Sequence, residues 1–191
     1  IYCSKYLNYE VHGTDYDEKG CLLTKKNLQA EGIDGKIKQN DIFNLSSDKK
    51  FDLVLSCGFI EHFAGKKLDE VLKKHVDLLE KNGRLFLSVP NFRYLNFLFT
   101  FFFRKDMLDH HNLKIMQKSF FVDFAKKNDL TVEYLGYFGG MHPAGIKLSS
   151  NNFFTKYINN SLLSRFERIQ IFDRINSKYF SHHLGAVFVK K

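Results

Sequence analysis

The sequence predicts an α/β protein whose mostly parallel sheet is covered by helices on both faces, and three observations carry that prediction. Short stretches rich in Val, Ile, Leu and Phe alternate with longer amphipathic ones, the order that builds a parallel sheet with right-handed crossovers. One of them, "FDLVLSCG" at 51–58, is apolar along most of its length, as a strand covered on both faces is. Successive strand-like stretches close on Asp15, Asp41 and Cys57-Gly58, and in open α/β sheets ligands bind at those carboxyl ends.

The elements follow in order. The opening "IYCSKYLN" places Tyr2, Cys3, Tyr6 and Leu7 at helical spacing with no cap in front, so it reads as the back end of a helix. "YEVHGTDY" (9–16) is a strand ending in an acid, and a helix at 18–31 closes on Gly32. "GKIKQNDIF" (35–43) is a second strand and "FDLVLSCG" a third. In "LDEVLKKHVDLLEKNG" (68–83), Leu68, Val71, Leu72, Val76 and Leu79 form one stripe, and Asn82-Gly83 is read as its end. "RLFLSVP" (84–90) is a fourth strand stopped by Pro90. A helix at 119–130, a strand at 131–138 and a final strand at 184–190 complete the pattern.

Two segments interrupt the alternation, 91–117 and 139–180. Insertions of that length in a compact domain are usually functional or disordered. The first holds the aromatic run "YLNFLFTFFF" (94–103), which reads as buried core, with a lid or an interfacial segment as the alternative. Flanking Arg93, Arg104 and Lys105 suit anionic headgroups. The second carries a helical pattern (Leu162, Phe166, Ile169, Phe172) studded with Arg165, Arg168 and Arg174.

A length of 191 residues suits one domain, with a cofactor-binding half at 1–91 and an acceptor-binding half at 92–191. Residues 1–91 balance 14 Lys+Arg against 14 Asp+Glu, while 92–191 hold 15 against 7, so the whole excess of +8 sits in the second half. A basic second half points to an anionic ligand or surface there. Three distant cysteines without metal-site spacing fit a reducing, cytoplasmic setting. No nucleic-acid module is recognisable, so no nucleic-acid partner is expected.

An acid closing a strand of a doubly wound sheet can accept two hydrogen bonds from ribose hydroxyls, which would explain Asp15; capping the next helix explains it equally. Asp41 followed by Ile42 suits an adenine amine and ring face, or the cap of a loop.

In this order and at these separations, "VHGTDYDEKG", "KQNDIF", "FDLVLSCGFIEHF" and "VDLLEKNGRLFLSVPNF" resemble the class I S-adenosylmethionine-dependent methyltransferases. The resemblance spans residues 1–92 and continues more weakly through "HHNLKIM" (110–116) and the final strand. It implies a Rossmann-like doubly wound sheet with an antiparallel last strand. It also implies S-adenosylmethionine, with Asp15 and Tyr16 at the ribose, Asp41-Ile42 at the adenine and Cys57-Gly58 at the methionine end. The family's first strand and glycine-rich loop would lie before Ile1, so a chain lacking both is expected.

Glu61-His62 follows the strand that would deliver the methyl donor, and His111 belongs to a segment that lies over the pocket in the family. Glu61, His62 and His111 are therefore the expected catalytic residues, His62 apt as a base for a hydroxyl acceptor. The alternative is that these residues cap loops. The ubiquinone-pathway O-methyltransferases look similar here but carry Glu-x-x-Glu-His; Gly58 replaces the first carboxylate, so no metal is expected. The expected reaction is methyl transfer, at oxygen, to a small or lipid- or glycan-linked acceptor, anionic in part, with peripheral membrane contact through 94–105. The rivals are a non-catalytic module docking on anionic membranes and a nicotinamide-dependent oxidoreductase.

Overall fold

The computed structural model describes residues 1–45, 49–140 and 175–191. The pattern Leu162 to Phe172 and Arg165, Arg168 and Arg174 lie outside the described residues. The chain divides into two compact units, Ile1–Asp48 and Lys49–Lys191.

The first unit contains helix α1 (Tyr2–Leu7), strand β1 (His12–Asp15), helix α2 (Glu18–Ala30) and strand β2 (Lys36–Gln39). β1 and β2 pair in parallel from His12↔Lys36 to Asp15↔Gln39. Both strands are shorter than their apolar stretches, because the flanks 9–11 and 40–43 leave the ladder. α2 starts where Asp17 accepts from the Gly20 N–H at 2.9 Å and ends before Gly32, whose φ of +68° favours glycine. Its Cys21 and Leu28 bury against Ile37 of β2, with Ile33 beside them.

The second unit is a four-stranded sheet in the order β3-β4-β6-β5, formed by β3 (Phe51–Cys57), β4 (Leu79–Pro90), β5 (Leu130–Phe138) and β6 (His183–Lys190). β3 and β4 are parallel, and β6 runs antiparallel to both β4 and β5. Helix α3 (Gly65–Asp77) buries Leu68, Val71, Leu72 and His75. Helix α6 (Lys118–Lys127) buries Phe121, Phe124 and Ala125, and both Phe rings meet Phe188 of β6.

Two expectations need correction. The stripe at 68–83 is not one helix: it stops at Asp77, and Leu79 already pairs with Phe51. Asn82-Gly83 is a bulge inside β4 rather than a helix end. Asn82 adopts φ +64°, and a Cβ on Gly83 would lie 2.9 Å from the Glu80 and Phe51 carbonyl oxygens, so only glycine fits. The second concerns 94–103, which forms helix α4 (Tyr94–Phe103) but not core. Leu95, Leu98, Phe101 and Phe102 are exposed, Phe102 at 73%. A helix apolar on every side cannot turn all of them toward one core at about 100° per residue. A short helix α5 (Lys105–Asp109) follows.

Candidate active site

In the first unit, Asp15 and Tyr16 stand at the carboxyl end of β1. One Asp15 oxygen accepts the Asp17 N–H at 2.9 Å, and Asp17 rather than Asp15 caps α2. Tyr16 is exposed, and its carbonyl accepts from Gln39 at 3.1 Å. Asp41 caps a short 3₁₀ turn at Ile42–Asn44, accepting the Phe43 N–H at 3.0 Å, so the capping reading of Asp41 describes its local role.

In the second unit, β3 ends on exposed Cys57 and turns at Gly58, whose φ of +61° is a conformation open mainly to glycine. The 3₁₀ turn Ile60–His62 then buries Glu61 and leaves His62 exposed. Helix α5 and a second 3₁₀ turn, Leu113–Ile115, bring His111 back to the same place. The His62 and His111 rings lie 4.7 Å apart, centroid to centroid. They line a cavity of about 400 Å³ together with Glu61, Phe63, His110 and Asn112.

His111 Nδ1 is hydrogen-bonded to the Met107 carbonyl, which can only accept. That nitrogen therefore carries the proton, and Nε2 is left with its lone pair. The edge of Phe92 meets the same ring at 5.1 Å. Burial holds His111 below the ordinary 6.5, against the opposing pull of the Met107 carbonyl, and His62 adds to the lowering. A neutral imidazole at neutral pH is the form a general base needs.

Glu61 is 2% exposed and its Oε2 has no hydrogen-bond partner. Burial pushes its carboxyl above the ordinary 4.5. The native state then holds the proton more tightly than the unfolded chain. The stabilisation is full below pH 4.5 and disappears as pH rises through the raised value. Glu61→Gln is thus expected to melt higher than the parent at neutral pH, by about 1–3 kcal/mol of stability, the cost of an unpaired buried polar group. The difference should vanish in acid; thermal melts at both pH values, in chelator, measure it.

Glu61, His62 and His111 each offer one ligand atom, all within 4.8 Å of one another. One carboxylate and two imidazoles match the donor set of three-ligand catalytic metal centres. Glu61 and His62 are adjacent in sequence, but no local spacing pattern points to His111 as a third donor.

A parallel α/β sheet with an antiparallel strand and a cavity beside its strand ends defines a Rossmann-like fold. A methyltransferase-domain family model matches residues 1–83. The ubiquinone biosynthesis O-methyltransferase of Pelagibacter ubique (strain HTCC1062) is 26% identical over 166 residues, covering 81% of this chain and 68% of that protein. Among solved structures, the PH0226 protein of Pyrococcus horikoshii OT3 superposes with a TM-score of 0.59 at 15% identity, over 100% of this chain and 76% of that one. Magnesium protoporphyrin IX methyltransferase from Synechocystis PCC 6803, solved with bound SAH, gives 0.59 at 12%, over 95% and 64%. The chain has the fold of the class I S-adenosylmethionine-dependent methyltransferases, and methyl transfer from S-adenosylmethionine is the activity that its methyltransferase-domain match and its O-methyltransferase relative support. The comparisons lend no support to a nicotinamide-dependent oxidoreductase or a non-catalytic module. No helix among the described residues is long and apolar enough to cross a membrane.

Proposed function

We propose that this methyltransferase acts on a hydroxyl group, with the His62–His111 pair as the base. The observation that carries the reading is the 4.7 Å approach of the two rings beside buried Glu61. His111 Nε2 takes the hydroxyl proton as the acceptor oxygen forms its bond to the methyl carbon and the carbon–sulfur bond breaks, leaving S-adenosylhomocysteine and the methyl ether. The Glu61 carboxylate, with an oxygen within 4.8 Å of a His111 ring nitrogen, stabilises the imidazolium that results. Gly58 lets the backbone come close to the methionine end of the donor; Asp15 and Tyr16 serve its ribose, Asp41 and Ile42 its adenine.

The acceptor is a small or lipid- or glycan-linked alcohol or phenol carrying some negative charge, a reading supported by the basic second half of the sequence. Exposed α4, with Arg93, Arg104 and Lys105 at its ends, supports peripheral contact with an anionic bilayer. A cleft of about 560 Å³ lies along α4, lined by Phe92, Tyr94, Leu98, Leu113 and Tyr179 among others, and suits an apolar part of the acceptor.

Methyl-labelled donor offered with catechol, a hydroxylated isoprenyl phosphate, a uronic-acid glycan and an amino sugar tests the acceptor class; label in an ether product supports it, and label only on the amine overturns it. Calorimetric titration of S-adenosylmethionine tests the donor residues. Asp15→Ala is expected to bind about 10- to 100-fold more weakly, from loss of charge-assisted hydrogen bonds worth roughly 1.5–3 kcal/mol. Unchanged affinity would remove Asp15 from the site.

The three-donor cluster favours a second reading. Glu61, His62 and His111 would hold a divalent cation that polarises the acceptor oxygen, and the orphaned Glu61 Oε2 would gain its partner. Full activity in excess chelator selects the base; activity restored by added metal selects the cation.

A further inference from the structure

We infer that Asn112 is the positioning residue that holds His111 against His62. Two hydrogen bonds from this one residue tie the 110–116 segment to the turn that carries Glu61 and His62, and a third caps the turn that follows it. Its backbone N–H donates to the Glu61 carbonyl at 2.7 Å. Its side-chain amide donates to the Phe63 carbonyl at 2.9 Å. Its amide oxygen accepts the Lys114 N–H at 3.2 Å, capping the 3₁₀ turn that follows. The carbonyls of residues 61 and 63 flank His62 in sequence, so the two outward bonds grip the turn on either side of it. His111 is the neighbour of Asn112, so the grip fixes both rings at once, and His62 Nδ1 faces the His110 carbonyl at 3.4 Å.

The side chain has two jobs that different substitutions separate. Donation to Phe63 needs an N–H, which asparagine has and aspartate lacks, while the cap needs only an acceptor oxygen, which both supply. Asn112→Asp therefore keeps the cap and the backbone bond to Glu61 but removes the side-chain half of the grip, setting a carboxylate oxygen against the Phe63 carbonyl oxygen. Asn112→Ala removes the cap as well as the bond to Phe63. If the residue served only as a cap, aspartate would restore what alanine loses.

The catalytic meaning of the clamp rests on the base reading above, but the clamp can be measured without turnover. Inter-ring NOEs between His62 and His111 in protein labelled at histidine report the approach of the rings directly. Melting temperature and the remaining amide spectrum report whether each variant is folded. The expected result is loss of the His62–His111 cross-peaks in Asn112→Asp as well as Asn112→Ala, with most of the second unit's amide shifts unchanged. Cross-peaks retained in folded Asn112→Asp would overturn the inference, whatever alanine does. Should neither variant fold, Asn112→Ser is the third: it keeps a short acceptor for the cap, cannot span to Phe63, and must lose the cross-peaks. Cross-peaks lost while His111→Ala retains full turnover would keep the clamp and sink the base reading instead.

Discussion

His111→Ala is expected to lower the turnover of methyl transfer by about 10²- to 10⁴-fold, the usual contribution of a positioned general base. Affinity for S-adenosylmethionine should hardly change, because His111 is not among the residues proposed to hold it. His62→Ala should cost less, since its ring is exposed and its hydrogen bond to the His110 carbonyl is long, at 3.4 Å. The pH profile carries a sign for His111. Burial lowers His111, so its neutral, proton-accepting form persists below pH 6.5. Turnover of the parent should therefore hold as pH falls through 6.5 and drop only beneath it. A His111→Ala enzyme with unchanged turnover would exclude the base and leave orientation of the acceptor as the protein's whole contribution.

The parts of this site that could be read from the sequence are those set by neighbours along the chain. A strand running into Cys57-Gly58 and then Glu61-His62 announces a ligand-facing turn, because apolar alternation places the strand and the turn chemistry follows it. β6 was equally plain, as a short β-branched stretch at the end of the chain. What the sequence does not disclose depends on partners far away. Leu79 continues the spacing of a helix, yet pairing with Phe51 and a glycine bulge at Gly83 commit it to a strand. The aromatic run 94–103 has every mark of core composition, and composition says nothing of which neighbour covers it. The approach of His111 to His62 follows from how Asn112 and α5 fold the intervening loop. Its neighbours in sequence give no hint of that approach; the family resemblance placed it over the pocket, and only the fold sets the distance.

Phe188→Ala is expected to remove about 3–5 kcal/mol of stability, the range for truncating a fully buried phenylalanine. Phe188 is wholly buried in β6, the strand between β4 and β5, and its backbone sits opposite Leu85 on one side and Val132 on the other. Its ring stacks on Phe121 at 6.3 Å and meets the edge of Phe124 at 5.2 Å, so one side chain joins the sheet to α6. Against a usual stability of about 5–15 kcal/mol, such a loss leaves little margin. Phe188→Leu, which keeps most of the apolar volume, should cost less than half as much. Urea titration measures both, and a lower midpoint at unchanged slope would mark lost packing rather than a changed unfolded state. Equal losses for alanine and leucine would show that ring geometry rather than volume holds the layers together. The same strand reaches the site. Beside β6, the His182 carbonyl accepts the Asn91 N–H at 2.7 Å, and Asn91 donates to the Ser181 carbonyl at 2.8 Å. Phe92, next in sequence, rests its ring edge on His111. Activity in the Phe188 series should accordingly fall in step with the folded fraction and return on cooling, whereas His111→Ala should stay folded and inactive at every temperature.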